Sequence, residues 1–103
     1  MNFTYPYEGT VLKLETQVRK YVDTDALFIR IVDSEDGSPF ATLTVNIPPY
    51  VPDEGYIIVK TWGENEPITK YLLKQGFFID TRKRIKTGYV EASIWKVNCN
   101  LES

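Results

Sequence analysis

Four cations crowd the five positions from Arg82 to Lys86, in the run Thr81-Arg82-Lys83-Arg84-Ile85-Lys86. Arg82, Lys83, Arg84 and Lys86 are the side chains that neutralise phosphates, and Tyr89 and Trp95, which follow, could stack on bases. The run is therefore a candidate nucleic-acid patch. It is also what a sheet edge carries when Lys and Arg protect it from pairing. A second constellation joins Trp62 to Glu64 and Glu66. An aromatic anchor with acidic neighbours suits a protein partner and repels nucleic acid. Trp62 could instead seal the core, and the two acids could serve only to complement the positive end of a helix. Of the two constellations, the expectation favours Trp62, Glu64 and Glu66 as the partner-binding site.

Catalytic chemistry is poorly provided for. The chain has no histidine, which removes the commonest general base and metal ligand and the common nucleophilic triads. One Cys without His cannot build a zinc site. Neither G-x-x-x-x-G-K-[ST] nor G-x-G-x-x-G is present, and no Ser sits in a nucleophile elbow. Asp33, Glu35 and Asp36 offer oxygen ligands, but their spacing is not that of a calcium loop, and a solvated hairpin tip explains them. A carboxylate-only enzyme would need a cleft that so small a domain does not signal. The expectation is a protein that is not an enzyme and uses no cofactor or metal.

The chain of 103 residues, 43% of them hydrophobic, suffices for one domain with one core. Aromatic residues make up 14%, with seven Tyr, so some rings should lie near the surface. The net charge of −2 implies no general field for nucleic acid. Cys99 has no partner for an internal disulfide, no apolar run approaches the ~20 residues of a membrane span, and the start lacks a signal-peptide pattern. A cytoplasmic protein is expected, monomeric or homodimeric, with no membrane contact.

The elements that must position these residues follow from periodicity. Trp62–Asp80 holds the one clear helix. Asn65 or Glu66 can cap it, Pro67 fits its first turn, and Ile68, Tyr71, Leu72 and Gln75 form a stripe with Leu73 at its margin. Gly76 is placed to end it in the left-handed conformation. Glu64 and Glu66 lie at its positive end and Lys70 and Lys74 toward its negative end. Met1–Gly9 reads as an aromatic arm, either an edge segment with its rings on the sheet or a mobile arm for a partner. Alternation predicts strands at Thr10–Val22, Ala26–Val32, Phe40–Ile47 and Gly88–Val97, and Asp36-Gly37 predicts a hairpin. The unalternating Tyr56–Thr61 predicts a strand buried on both faces. Phe77–Asp80 reads as a short strand, Thr81–Lys86 as a basic connection, and Asn98–Ser103 as a flexible tail. Leu43, Val45, Ile57, Val59, Leu72 and Ile94 are the expected core. Together these predict an α+β domain, a mostly antiparallel sheet of five to six strands with one helix packed on one face.

The order L-F-I-R-I-V-D, D-G, L-T-V-N-I-P, E-P-I-T-K-Y-L-L-K-Q-G-F and T-G-Y, closed by an aromatic strand at Trp95, resembles short proteins of bacterial plasmids, conjugative elements and phages grouped as a domain of unknown function. The likeness spans Leu12 to Val97. The Trp62-Gly63 corner, the basic run and a last strand without Tyr-Pro depart from that pattern. The resemblance implies a mobile-element setting and carries over no catalytic residue. In that setting the expected function is a small non-catalytic interaction protein that blocks or adapts a larger protein, such as a host defence protein. The alternative is a nucleic-acid accessory module using the basic 82–86 turn.

Overall fold

The computed structural model describes residues Met1–Leu101. The fold is α+β, and among the described residues seven antiparallel strands form two sheets around one helix. The first sheet has the order β1-β2-β3-β4, from Asn2–Tyr7, Thr10–Lys20, Leu27–Asp33 and Pro39–Thr42. The second has the order β5-β7-β6, from Tyr56–Val59, Val90–Val97 and Phe78–Thr87. A 3-10 turn, Gly63–Asn65, leads from β5 into helix α1, Glu66–Lys74. β7 lies between β5 and β6 and is antiparallel to both. The two strands joined through the helix therefore run in the same direction without touching.

The aromatic arm is an edge strand. Glu8 and Gly9 both take left-handed φ, 47° and 79°, as a tight I′ hairpin turn requires, and β1 then pairs with β2 from Tyr7↔Thr10 to Asn2↔Glu15. Alternation turns Phe3 and Tyr5 inward, where both are buried.

The strand expected over Phe40–Ile47 stops as a paired element at Thr42, because the chain changes sheets there. Leu43 N–H still donates to Ile29 O at 2.9 Å, but Lys60 N–H donates to Leu43 O and Val45 N–H to Ile58 O. The Ile29 N–H left behind is taken by the Thr44 hydroxyl at 3.0 Å. A side chain thus replaces the lost ladder bond, as a buried amide requires. Val45, expected in the core, is half-buried after this crossing.

The helix caps differ from expectation in one respect. Pro67 occupies the first turn and Gly76 is left-handed at φ 78°, as predicted. Asn65 precedes the helix but its side chain makes no cap bond. Buried, it donates instead to Thr42 O at 2.7 Å and Lys60 O at 3.1 Å, tying the helix start to the ends of β4 and β5. Ile68 and Leu72 are buried, whereas Gln75 at the end of the predicted stripe is exposed.

The main core lies between the sheets under the helix. Ile29 and Ile31 meet Ile57, Val59 and Trp95, with Ile68 and Leu72 above. A smaller cluster of Ile58, Ala92 and Ile94 fills the opposite face of the second sheet, covered by Val45, Ile47 and Trp62. β5 is therefore buried on both faces, as its unbroken apolar run predicts. The tail predicted to be flexible is docked through Leu101. That side chain is buried, and the Met1 amine donates to its carbonyl at 2.6 Å. Asn98 also holds Gly76 O, at 3.0 Å. The remaining two tail positions, 102 and 103, lie outside the described residues. No helix among the described residues is long and apolar enough to cross a membrane.

Candidate binding surface

The basic run is not a connecting turn. It is part of β6, which continues from Phe78 to Thr87, and a bulge between Asp80 and Arg84 absorbs the extra residues. Asp80 builds this bulge. Its Oδ1 accepts the Arg82 N–H at 2.8 Å and Arg84 Nη1 at 3.0 Å, and its Oδ2 accepts Arg84 Nη2 at 3.0 Å. Thr81 Oγ1 donates to Ile94 O at 2.6 Å and accepts the Lys83 N–H at 3.2 Å. Arg82 sits at φ 69°, a conformation that costs a non-glycine residue of order 1 kcal/mol or more and that the surrounding bonds enforce. Bulges re-aim side chains. This one separates the four cations: Arg84 is clamped bidentately, while Arg82, Lys83 and Lys86 are exposed and form no ion pair among the described residues. Lys83 borders a hollow of about 260 Å³ with Tyr50, Asp53, Tyr56 and Thr81.

Burial works against the Asp80 carboxylate, but Arg84 and the Arg82 N–H outweigh it and hold its pKa below the usual range. Arg84 is correspondingly raised by its bond to Asp80.

Gly88 and Tyr89 close the β6–β7 hairpin. Gly88 has φ 62°, and of the two turn residues it alone is left-handed, the pattern of a II′ turn. Tyr89 is fully exposed at the tip. The proposed stacking partner Trp95 is a correction: it is 0% exposed, packed against Phe78 with ring centroids 5.4 Å apart. The reason is that β7 is buried on both faces from Ala92 to Trp95, so neither phase of its alternation reaches solvent there, and only Glu91 and Lys96 nearer its ends are exposed. Among the described residues the Trp95 indole N–H has no hydrogen-bond acceptor.

The patch of Trp62, Glu64 and Glu66 is assembled differently from expectation. Trp62 is half-buried and packs on the Ile58, Ala92 and Ile94 cluster. Glu64 bonds Lys60 and Glu66 bonds Lys70, each at 2.9 Å, and these lysines hold both carboxylates below their usual pKa. The acids are thus partly neutralised within their own segment. The Asp33, Glu35 and Asp36 group is a turn: Asp33 Oδ1 accepts the Glu35 and Asp36 N–H groups and Asp36 Oδ1 accepts that of Ser38. Among the described residues no three His, Cys, Asp or Glu side chains converge as metal ligands. Cys99 is half-buried, and burial pushes its thiol pKa up, away from a reactive thiolate.

Two residues that matter here escaped the sequence reading. Asn65 read as a cap, and nothing local signals its reach to Thr42. Asp80 read as a strand end, although arginines two and four residues later were a usable signal. Comparison with protein families, curated proteins and solved structures finds no match.

Proposed function

We propose that this chain is a small non-catalytic interaction protein whose working surface is the β6–β7 hairpin and whose partner is a larger protein with an acidic contact surface. The observation that carries this reading is Tyr89. A fully exposed tyrosine at a tight turn contributes nothing to the core, yet it closes the hairpin whose β6 strand carries Arg82, Lys83 and Lys86, exposed cations that form no ion pair among the described residues. Tyrosine and arginine are the residues that anchor interfaces, and an aromatic tip on a basic strand suits an acidic partner. The Trp62, Glu64 and Glu66 patch is the weaker choice, because its ring packs on a core cluster and its acids are already paired. The resemblance to mobile-element proteins supports a bacterial cytoplasmic setting, with a host defence protein as the kind of target.

The same unpaired cations favour one second reading, nucleic-acid binding by Arg82, Lys83 and Lys86 with Tyr89. Affinity capture from bacterial lysate separates the two. The parent chain is compared with Tyr89→Ser and Trp62→Ala, with and without nuclease. The expected result is a captured protein that survives nuclease and is lost with Tyr89→Ser, while the melting temperature of that variant stays unchanged. Capture that disappears with nuclease supports the second reading. Capture that ignores Tyr89→Ser but fails with a folded Trp62→Ala returns the site to the helix start.

A further inference from the structure

The hairpin presents an edge as well as a tip. β6 is the terminal strand of the second sheet, ten residues long against four for the shortest strand of that sheet. Alternation from the Thr87↔Val90 closing pair turns the backbone N–H and C=O of Thr87 and Ile85 toward β7 and those of Lys86 and Arg84 outward. Bonds farther along agree with this parity. The Asn98 N–H, on an even-numbered position, donates to Phe77 O on the β6 side, and the Val97 N–H donates to Gly55 O on the β5 side. Beyond Arg84 the edge is closed, because the bulge gives the Arg82 and Lys83 N–H groups to Asp80 and Thr81 side chains. Arg84–Thr87 is thus a short open edge.

We propose that this edge takes an extended acidic segment of the partner protein as an added strand. The inference rests on the interaction reading above and names its mode of contact. Charge selects the occupant. In an antiparallel pairing of two copies centred on Ile85, Arg84 of each would face Lys86 of the other, and like charges directly opposite are destabilising. A strand with acids at alternate positions would instead set one acid on Lys86, which forms no ion pair among the described residues, and another beside Arg84, whose guanidinium is shared with Asp80. It would place an apolar residue beside Ile85 on the other side of the sheet. Main-chain bonds then supply affinity and the alternating side chains supply specificity, as in other strand additions.

The probe is an N-acetylated eight-residue peptide of alternating Glu and Val, titrated into the full chain and followed by amide NMR. The proposal expects saturable binding at or below millimolar concentration, with the Arg84 and Lys86 amides the most protected from hydrogen exchange. Lys86→Gln removes one charge and keeps the amide, and it should weaken binding several-fold. Lys86→Pro also removes the outward N–H at a position where an edge strand tolerates proline, and it should weaken binding at least tenfold more. If Lys86→Pro perturbs the fold, the exchange protection in the parent chain decides the matter by itself. No binding at millimolar peptide overturns the proposal, as does binding without protection of those two amides. Tighter binding of a 20-nucleotide oligo(dT) than of the peptide also overturns it, in favour of nucleic acid. If the peptide fails while lysate capture still depends on Tyr89, the strand-addition mode falls and the interaction reading stands.

Discussion

Asn65 and Asp80 show how single polar side chains set the geometry around the surface. Asn65 is 1% exposed and is the donor for two carbonyls, that of Thr42 at the end of β4 and that of Lys60 just past β5. Asn65→Ala takes those donors away inside the protein, and removing one partner from buried bonds costs roughly 1–3 kcal/mol. Urea unfolding checks this; a loss below about half a kcal/mol would mean that water replaces the amide. Asp80 yields a pH prediction with a definite sign. Its folded pKa is lowered, so its stabilisation of the bulge is complete above the unfolded carboxylate value of about 4 and is lost as pH falls through the lower folded value. The Arg82–Arg84 amide resonances should therefore shift on acidification below about pH 4. In Asp80→Asn that acid transition should vanish from these residues. The pair is partly exposed, so its contribution is of the order of 1 kcal/mol or less.

At the scale of elements, the hairpin and the helix end through the same device. Gly88 and Gly76 are both left-handed, with open space where a Cβ would stand. The cost of adding one is therefore conformational and not steric. Gly76→Ala should destabilise by roughly 1 kcal/mol, measured by thermal or denaturant unfolding. An alanine variant as stable as the parent would show that the helix end relaxes into another conformation. The chain beyond the helix is held as well, since Asn98 occupies the Gly76 carbonyl and Leu101 enters the core. The helix terminus and the C-terminal segment thus support one another, which periodicity in either segment alone does not reveal.

Across the whole molecule, one core joins both sheets and the helix. Leu43 to Val45 bonds to β3 on one side and β5 on the other, so the sheets are coupled through a backbone crossing as well as through side chains. Unfolding should accordingly be a single transition. Leu72→Ala should cost roughly 2–5 kcal/mol, as truncation of a buried leucine does. It should shift far-UV circular dichroism and Trp95 fluorescence together, read in a Trp62→Phe background with one tryptophan. Separate midpoints would show that the second sheet and the helix melt apart from the first sheet.

The alternation of Thr10–Lys20 and Leu27–Asp33, the apolar run of β5, and the helix from its proline to Gly76 were legible in the sequence. Those features depend on near neighbours, through side-chain period, turn chemistry and caps. They determined the α+β class and the core positions Leu43, Ile57, Val59, Leu72 and Ile94, all of which are buried. Tertiary structure decided the rest. Alternation separates two faces of a strand but does not say that both are covered, and for that reason Trp95 is interior although it read as a stacking residue. A run of cations reads as a loop unless Asp80 is known to fold back on it, and that contact, with the Thr81 bonds and the pairing to β7 on either side, carries β6 through the bulge. The partition of strands into two sheets rests on the backbone of Leu43–Val45 crossing from β3 to β5, and the Thr44 hydroxyl, fifteen residues away along the chain, fills the place left at the Ile29 amide. Tyr89 was named from the sequence, but its exposure arises because the turn falls at Gly88-Tyr89 and sets the ring outside the sheet.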